Sequence, residues 1–257
     1  MKITSLLENT TERENLKTEH GLSLYIETEE KKILFDMGQG TAFGENAKIL
    51  NVNLATVDVA ILSHGHYDHG GGLETFLKIN STAPVYIQRD AFCSYHNFNN
   101  DYIGLDSSLK NNPRIIFTQG KISLSATLTL FTAQELSKTP WPHSGNLKER
   151  VKEKFIADDF RHEQYLLIEE NNKRVLISGC SHKGILNIME TFSPDVLIGG
   201  FHFFHLTLEE TLEASQQLCR FNTDFYTCHC TGVSQFEFMK KTIPNLKYFS
   251  CGQTITI

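Results

Sequence analysis

Three imidazoles and a carboxylate fall within six residues in His64-Gly65-His66-Tyr67-Asp68-His69, and three glycines, Gly70-Gly71-Gly72, follow directly. Neutral imidazole nitrogen and carboxylate oxygen are ligands for zinc, iron or manganese. The apolar run Val57-Asp58-Val59-Ala60-Ile61-Leu62 just before them predicts a strand. Side chains alternate along an extended backbone, so His64 and His66 project to one side of the strand end. The glycines let the chain turn tightly beside them. Burying so many polar groups is costly unless each finds a partner, and one shared cation supplies it. The segment therefore predicts a metal site at the end of a strand.

A site of this kind needs elements to carry it. Period-two or continuous apolar runs at 21–28, 32–35, 57–62, 85–88 and 114–117 read as strands in the first half, and 122–131, 164–169, 174–178, 195–199 and 224–228 follow in the second. Glu170-Asn171-Asn172-Lys173 reads as the turn of a hairpin. Helical spacing recurs after the glycines, where Leu73, Phe76 and Leu77 share a face, and at 184–192, 208–220 and 234–242. No repeat and no Pro/Ser-rich linker divides the chain, so a single domain over 1–257 is expected. The stretch 134–162, with Pro140-Trp141-Pro142-His143-Ser144-Gly145, shows neither strand period nor an apolar helical face. It reads as a lid or insertion. The polar segments 9–19 and 95–112 read as long loops.

With 40% hydrophobic and 21% charged residues, the 257-residue chain has the composition of a packed globular protein rather than a disordered one. A net charge of −6, without a lysine or arginine cluster, argues against nucleic acid or an anionic membrane surface as partner. A small-molecule substrate fits better. The N-terminus meets Glu8 too soon for a signal peptide, and no apolar stretch approaches bilayer length, so a cytoplasmic location is expected. Six cysteines in a chain this long do not make a disulfide framework, and most read as buried small hydrophobes.

The histidine segment resembles the His-x-His-x-Asp-His signature of the metallo-β-lactamase superfamily. The likeness continues through Glu19-His20-Gly21-Leu22-Ser23, Leu34-Phe35-Asp36-Met37-Gly38, Ser178-Gly179-Cys180-Ser181-His182, Gly199-Gly200-Phe201-His202 and His229-Cys230-Thr231-Gly232. These look like the branch related to 7,8-dihydropterin-6-yl-methyl-4-(β-D-ribofuranosyl)aminobenzene 5'-phosphate synthase. The resemblance implies an α/β fold, a four-layer αβ/βα sandwich of two mixed β-sheets flanked by helices. It also implies two divalent metal ions, zinc first, with manganese or iron as alternatives.

Carried over residue by residue, the resemblance gives His64 and His66 to one ion and Asp68 and His69 to the other, with Asp68 also catalytic. His182 and His229 follow expected strands and are further ligand candidates. Cys180 stands where the superfamily commonly places a bridging aspartate; a thiolate ligates zinc, and a buried thiol equally serves as an inert packing group. The usual separate histidine before that strand is not evident, since His143 and His162 lack its glycine-rich setting, so His182 is the residue that can replace it. His202 is a candidate for contact with metal or substrate. His20, Asp36 and Tyr67 are candidates for supporting the ligands, Asp36 by holding the far nitrogen of a metal-bound histidine.

Competing signals fail their own tests. In Gly38-Gln39-Gly40-Thr41-Ala42-Phe43, Phe43 stands at the third glycine position of a dinucleotide fingerprint. Lys183 stands where a serine nucleophile elbow needs glycine. No Cys-x-x-Cys occurs. The leading reading is a metal-dependent hydrolase of a small anionic or phosphorylated molecule. Alternatives are a synthase joining a dihydropterin methyl diphosphate to an aminobenzene ribofuranosyl phosphate, and a non-catalytic metal- or ligand-binding protein. His66, where di-iron oxygen-reducing relatives carry an acid, lowers a redox reading. Aromatics at 92–98 and 201–204 read as core first and as a ring-stacking surface second.

Overall fold

The structure is a computed structural model that describes residues 1–136, 141–142 and 144–257. In chain order the strands are β1 (Lys2–Leu7), β2 (Ser23–Glu27), β3 (Lys32–Phe35), β4 (Val59–Leu62), β5 (Val85–Gln88), β6 (Tyr95–His96), β7 (Ile115–Thr118), β8 (Lys121–Ser123) and β9 (Leu128–Thr132). They continue with β10 (Lys148–Val151), β11 (Lys154–Ala157), β12 (Gln164–Glu170), β13 (Lys173–Ile177), β14 (Val196–Gly199), β15 (Asp224–Thr227), β16 (Leu246–Tyr248) and β17 (Thr254–Thr256). The α-helices are α1 (Ala42–Ile49), α2 (Tyr67–Gly70), α3 (Leu73–Ile79), α4 (Ile185–Phe192), α5 (Leu208–Leu218) and α6 (Val233–Met239). The chain forms two compact units, one of Met1–Thr118, Lys148–Asp158 and Ser250–Ile257, the other of Gln119–Leu147 and Asp159–Phe249.

The first unit holds a mixed sheet in the order β17-β1-β2-β3-β4-β5-β7. Antiparallel pairs join β17, β1, β2 and β3, while β3, β4, β5 and β7 run parallel. All four residues of β4 are buried, the continuous apolar run that a parallel strand covered on both faces demands. Leu34, Ala60, Val85 and Ile87 pack with Phe43 of α1 and Phe76 of α3 in this unit's core. Each leucine, valine, isoleucine or phenylalanine side chain among them contributes roughly 1.5–3 kcal/mol when taken out of water. Because β3 and β4 are parallel, Phe35 opposite Ile61, both carry their next residues, Asp36 and Ser63, to one sheet edge. Loops at that carboxyl edge of parallel strands are where α/β proteins build sites.

The second unit repeats the plan in the order β16-β15-β14-β13-β12-β9-β8, with β13 to β16 parallel and the rest antiparallel. Its core gathers Leu176, Leu197 and Phe225 from the strands with Ile188 and Met189 of α4, Leu218 of α5 and Met239 of α6. Helix α5 illustrates the local logic. Thr207 accepts from Glu210 N while the Glu210 carboxylate accepts from Thr207 N, a capping box, and Thr211, Ala214, Ser215 and Leu218 are its buried face at 3.6-residue spacing.

The structure departs from several of these expectations. The run 122–131 is two antiparallel strands, β8 and β9, because Ser123 Oγ donates to Ser125 O at 2.8 Å and folds the small polar residues between them into a turn. Within 134–162, β10 and β11 form a hairpin that extends β6 into a three-stranded sheet. Every residue of β11 is exposed, so no alternation marks it in the sequence. Of that stretch, 137–140 and His143 lie outside the described residues. Strand β1, tested in the sequence only as a leader, is buried at five of its six positions. No helix among the described residues is long and apolar enough to cross a membrane, and none of the six cysteines forms a disulfide.

Candidate metal centre

In the first unit the donors stand on the carboxyl ends of β3 and β4. His64 follows β4 through Ser63, and His66 keeps an extended backbone before α2 begins at Tyr67. Gly65 between them is dictated by space, since a Cβ there would lie 2.2 Å from Ala91 O. The short α2 then sets Asp68 and His69 on the following turn. The His64 ring centroid is 4.6 Å from that of His66 and 4.2 Å from that of His69. His64, His66, Asp68 and His69 are all buried. His20 Nε2 is 3.4 Å from Asp68 Oδ2, and Asp158 Oδ2 is 3.9 Å from His66 Nε2.

Asp36 organises this cluster. It is fully buried and adopts φ +61°, a left-handed backbone that a non-glycine residue takes only under compulsion. Its Oδ1 accepts from Ser63 N at 2.7 Å, and its Oδ2 accepts from Ser63 Oγ at 2.7 Å and lies 2.6 Å from His69 Nδ1. A carboxylate only accepts, so the His69 proton sits on Nδ1 and its lone pair on Nε2. Ser63 has given its one hydroxyl proton to Asp36. At 2.8 Å from His64 Nδ1 its oxygen therefore accepts, and His64 also presents Nε2 as the basic atom. Two imidazoles are thus held in the tautomer that ligation needs. Tyr67, about half exposed, has its phenol pushed above the usual range by burial and by the charges of Asp68 and Glu19, so it remains a proton donor.

The second unit builds its own cluster on three parallel strand ends. β13 leads to Cys180 and His182, β14 to His202, and β15 to His229 and Cys230. Cys180, His182 and His202 bring one ligand atom each within 4.8 Å of one another, as do Cys180, His229 and Cys230. The His182 and His202 rings are 4.3 Å apart, and His182 stacks on Phe160 at 4.8 Å with the planes 6° apart. Ser181, His202 and His229 take φ of +59°, +55° and +49°. Left-handed backbone at three strand ends turns these side chains abruptly out of their strands, the kind of strain that persists where function requires it. Gly200 leaves the room that Cys230 occupies, since a Cβ there would meet its sulfur at 2.3 Å.

Glu163 braces the His182 turn. Its Oε1 accepts from His182 N at 2.8 Å, and its Oε2 accepts from Lys183 N at 3.0 Å and from the Tyr165 hydroxyl at 2.5 Å. Full burial pushes the Glu163 carboxyl upward against the pull of these donors and of His162, and burial beside Glu163 pushes the Tyr165 phenol far up. His162 is buried with its ring 6.3 Å from Phe160. Sequence reasoning did not select Asp158, Glu163 or Cys230. No local spacing marks the two acids, but Cys230 stands one residue after a selected histidine on the same strand end.

The first donor set offers two imidazoles with fixed tautomers and a carboxylate beside them, and the second offers imidazoles and thiols, groups that divalent ions take as ligands. The sequence pattern of the metallo-β-lactamase superfamily matches residues 16–218. Over 98% of its length the chain is 28% identical to an uncharacterized protein of Methanocaldococcus jannaschii, covering 99% of that protein. It is 27% identical to 7,8-dihydropterin-6-methyl-4-(beta-D-ribofuranosyl)-aminobenzene-5'-phosphate synthase of the same organism, over 93% of this chain and 90% of that one. A crystal structure described as a metal-dependent hydrolase of the beta-lactamase superfamily superposes with a TM-score of 0.86 at 26% identity, covering 100% of this chain and 99% of the other. The α/β fold class read from the sequence is the fold of that structure. The chain belongs to the metallo-β-lactamase superfamily, and within it resembles the branch that includes the pterin-related synthase.

Proposed function

We propose that this protein is a metal-dependent hydrolase of a small, anionic or phosphorylated molecule. The observation that carries the reading is the Asp36–Ser63 network, which spends a buried carboxylate and a hydroxyl on fixing the tautomers of His64 and His69. Such an arrangement has little purpose in a polar loop and an evident one in a ligand set. In this reading His64 and His66 would hold one divalent ion and Asp68 and His69 a second, with His182, His229 and Cys180 as the further ligand candidates. A divalent ion, when bound, would lower the pKa of water and offset negative charge on a phosphoryl or acyl oxygen. Zinc is the first choice for a set of imidazole, carboxylate and thiolate.

The protein's own groups do the rest. Asp68 orients the attacking water and takes its proton, and His20 beside it steadies that carboxylate. Asp36 holds His69, and Glu163 holds the backbone of His182. Tyr67 or His202 is the side chain this reading assigns to polarising the substrate.

The 27% identity to a named synthase favours a second reading, formation of a carbon–nitrogen bond between a pterin methyl diphosphate and an aromatic amine with departure of diphosphate. Purified protein analysed for metal content, then incubated with phosphomonoesters, with phosphodiesters, and with a pterin methyl diphosphate in the presence and absence of the amine, separates the two. Turnover of simple esters supports hydrolysis. Amine-dependent diphosphate release without ester hydrolysis overturns it, and a metal-free native protein inert to all of them points to a binding protein.

A further inference from the structure

The sheet of the first unit carries a polar cavity at the other end of β3 from the donor cluster. Lys32 opens that strand and Asp36 follows its last residue, a separation of roughly 13 Å along extended backbone. The cavity at the Lys32 end measures about 410 Å³. Two cross-strand rows of one sheet face form its floor. Lys2 stands opposite Glu27 and Glu27 opposite Lys32, while Thr254 stands opposite Thr4 and Thr4 opposite Tyr25. Arg13, and Asn51 and Asn53 from the turn after α1, close the sides. Gly252, at φ +87°, makes room for Arg13, since a Cβ there would lie 3.1 Å from the arginine Cδ.

Charge selects the ligand. Lys2, Arg13 and Lys32 are cationic walls, against Glu27 as the acidic wall among the described residues. Glu27 lies 3.5 Å from Lys2 Nζ, whereas neither Arg13 nor Lys32 has a carboxylate within ion-pair distance of its side chain among the described residues. The Lys32 ammonium reaches Thr56 Oγ1 at 3.4 Å, and Asp58, outside the walls, accepts from Lys32 N at 2.7 Å. The end of α1 turns N–H groups back on its own carbonyls, Leu50 N to Asn46 O, Asn51 N to Lys48 O and Val52 N to Ala47 O. That mutes the negative pole a helix end would otherwise present to an anion.

Tyr25 is the more specific sign. It is 4% exposed, its ring packs in the apolar core of the unit, and it lines the cavity with a hydroxyl that has no hydrogen-bond partner among the described residues. A buried hydroxyl left unpaired costs free energy that a ligand atom would recover. Burial, with Glu27 and Asp58 nearby, pushes this phenol up to about 12, so it keeps its proton and donates.

We propose that this cavity binds a small organic molecule through a compact dianionic head, a phosphate, phosphonate or dicarboxylate, independently of the metal centre. Arg13 and Lys32 hold the charge of the head and Tyr25 donates to one of its oxygens. The cavity is larger than the head alone needs, and the rest of the molecule lies beside Ile49, which is 39% exposed. No donor of the metal centre is among the walls, so this ligand is an effector and not the molecule turned over there.

The full-length protein, as isolated and after chelator treatment, is titrated by calorimetry with inorganic phosphate, phenylphosphonate and malonate at constant ionic strength, with chloride as control. Phenylphosphonate has a P–C bond, which a phosphoesterase leaves intact. The expected result is one saturable site per chain, with the same affinity in both preparations and a raised thermal midpoint when the site is filled. Either preference supports the site: phosphate and phenylphosphonate above malonate identifies a tetrahedral head, and the reverse a dicarboxylate. Arg13 and Lys32 are exposed, so Arg13→Gln and Lys32→Gln keep the fold by circular dichroism, and each weakens binding about tenfold. Tyr25→Phe removes a hydroxyl that no protein group uses, so it leaves the unliganded midpoint unchanged and weakens binding about fivefold. Binding that disappears with the metal, affinity unmoved in all three variants, or no saturable binding at all overturns the proposal.

Discussion

The donor cluster of the first unit and that of the second are built in opposite ways. In the first, four donors come from one strand end and one four-residue helix, so their mutual geometry is mostly a property of a short peptide. In the second, Cys180, His182, His202, His229 and Cys230 come from three strands, and only the parallel register of β13, β14 and β15 brings those ends to one edge. The first cluster is corrected by a side-chain device, Asp36. The second is held by backbone: three left-handed residues, and a buried carboxylate that grips main-chain N–H groups. Damage to the first cluster should therefore be chemical and local, whereas damage to the second should reach stability.

The sharpest test of that contrast is Asp68→Asn. The amide keeps the shape and loses the charge and the proton acceptor, so turnover is expected to fall by about 10³-fold, within the range for removing a positioned general base. Thermal unfolding should move by no more than a degree or two. A variant that keeps its rate removes Asp68 from the chemistry, and one that unfolds shows the first cluster to be structural after all.

Glu163→Ala asks the converse question of the second cluster. It leaves His182 N, Lys183 N and the Tyr165 hydroxyl without their acceptor in the interior, at about 1–3 kcal/mol for each group that water does not reach. We expect a loss of about 3 kcal/mol in urea unfolding, with Glu163→Gln recovering part of it through its one remaining acceptor oxygen. A stable Glu163→Ala protein with ordinary metal content would erase the distinction between the clusters.

Asp36→Asn has a smaller effect of a different kind. The amide presents N–H where Ser63 and His69 need an acceptor, and His69 loses the partner that keeps its proton on Nδ1. Metal affinity measured by chelator competition should fall about 10- to 100-fold, the usual cost of removing a ligand's supporting carboxylate. The unfolding midpoint should change less than in Glu163→Ala.

The same contrast explains what the sequence made legible. The first cluster could be read because its ligands lie within six residues behind a continuous apolar run, and Asp36 because it ends another such run. The positions of His182 and His229 followed from strand ends. Asp158 and Glu163 did not, because the partners that reveal them are remote in sequence: Asp158 meets His66, and Glu163 meets the main chain of residues 182 and 183. Among the elements, β12 to β15 carried clear apolar runs. The hairpin β10–β11 carried none, since strand pairing there relies on backbone hydrogen bonds with little burial to imprint a pattern.

The smallest expected effect concerns a thiol away from both clusters. Cys251 is buried in the first unit, donating to Leu6 O at 3.3 Å with Asn46 beside it, and burial pushes its pKa from 9.0 up to about 11. The folded thiol keeps its proton where the unfolded one has lost it. Stability from this source is complete below pH 9 and declines as pH rises through about 11. Between pH 8 and 10.5 wild type should therefore lose about 1 kcal/mol more in urea unfolding than Cys251→Ala, after discounting for solvent screening. Exposed Cys219 should react with a disulfide reagent at once while Cys251 stays protected until unfolding. Prompt modification of Cys251 in the native protein would show that the edge joining β1 and β17 opens under native conditions, and would locate the first unit's weak point there rather than at its donor cluster.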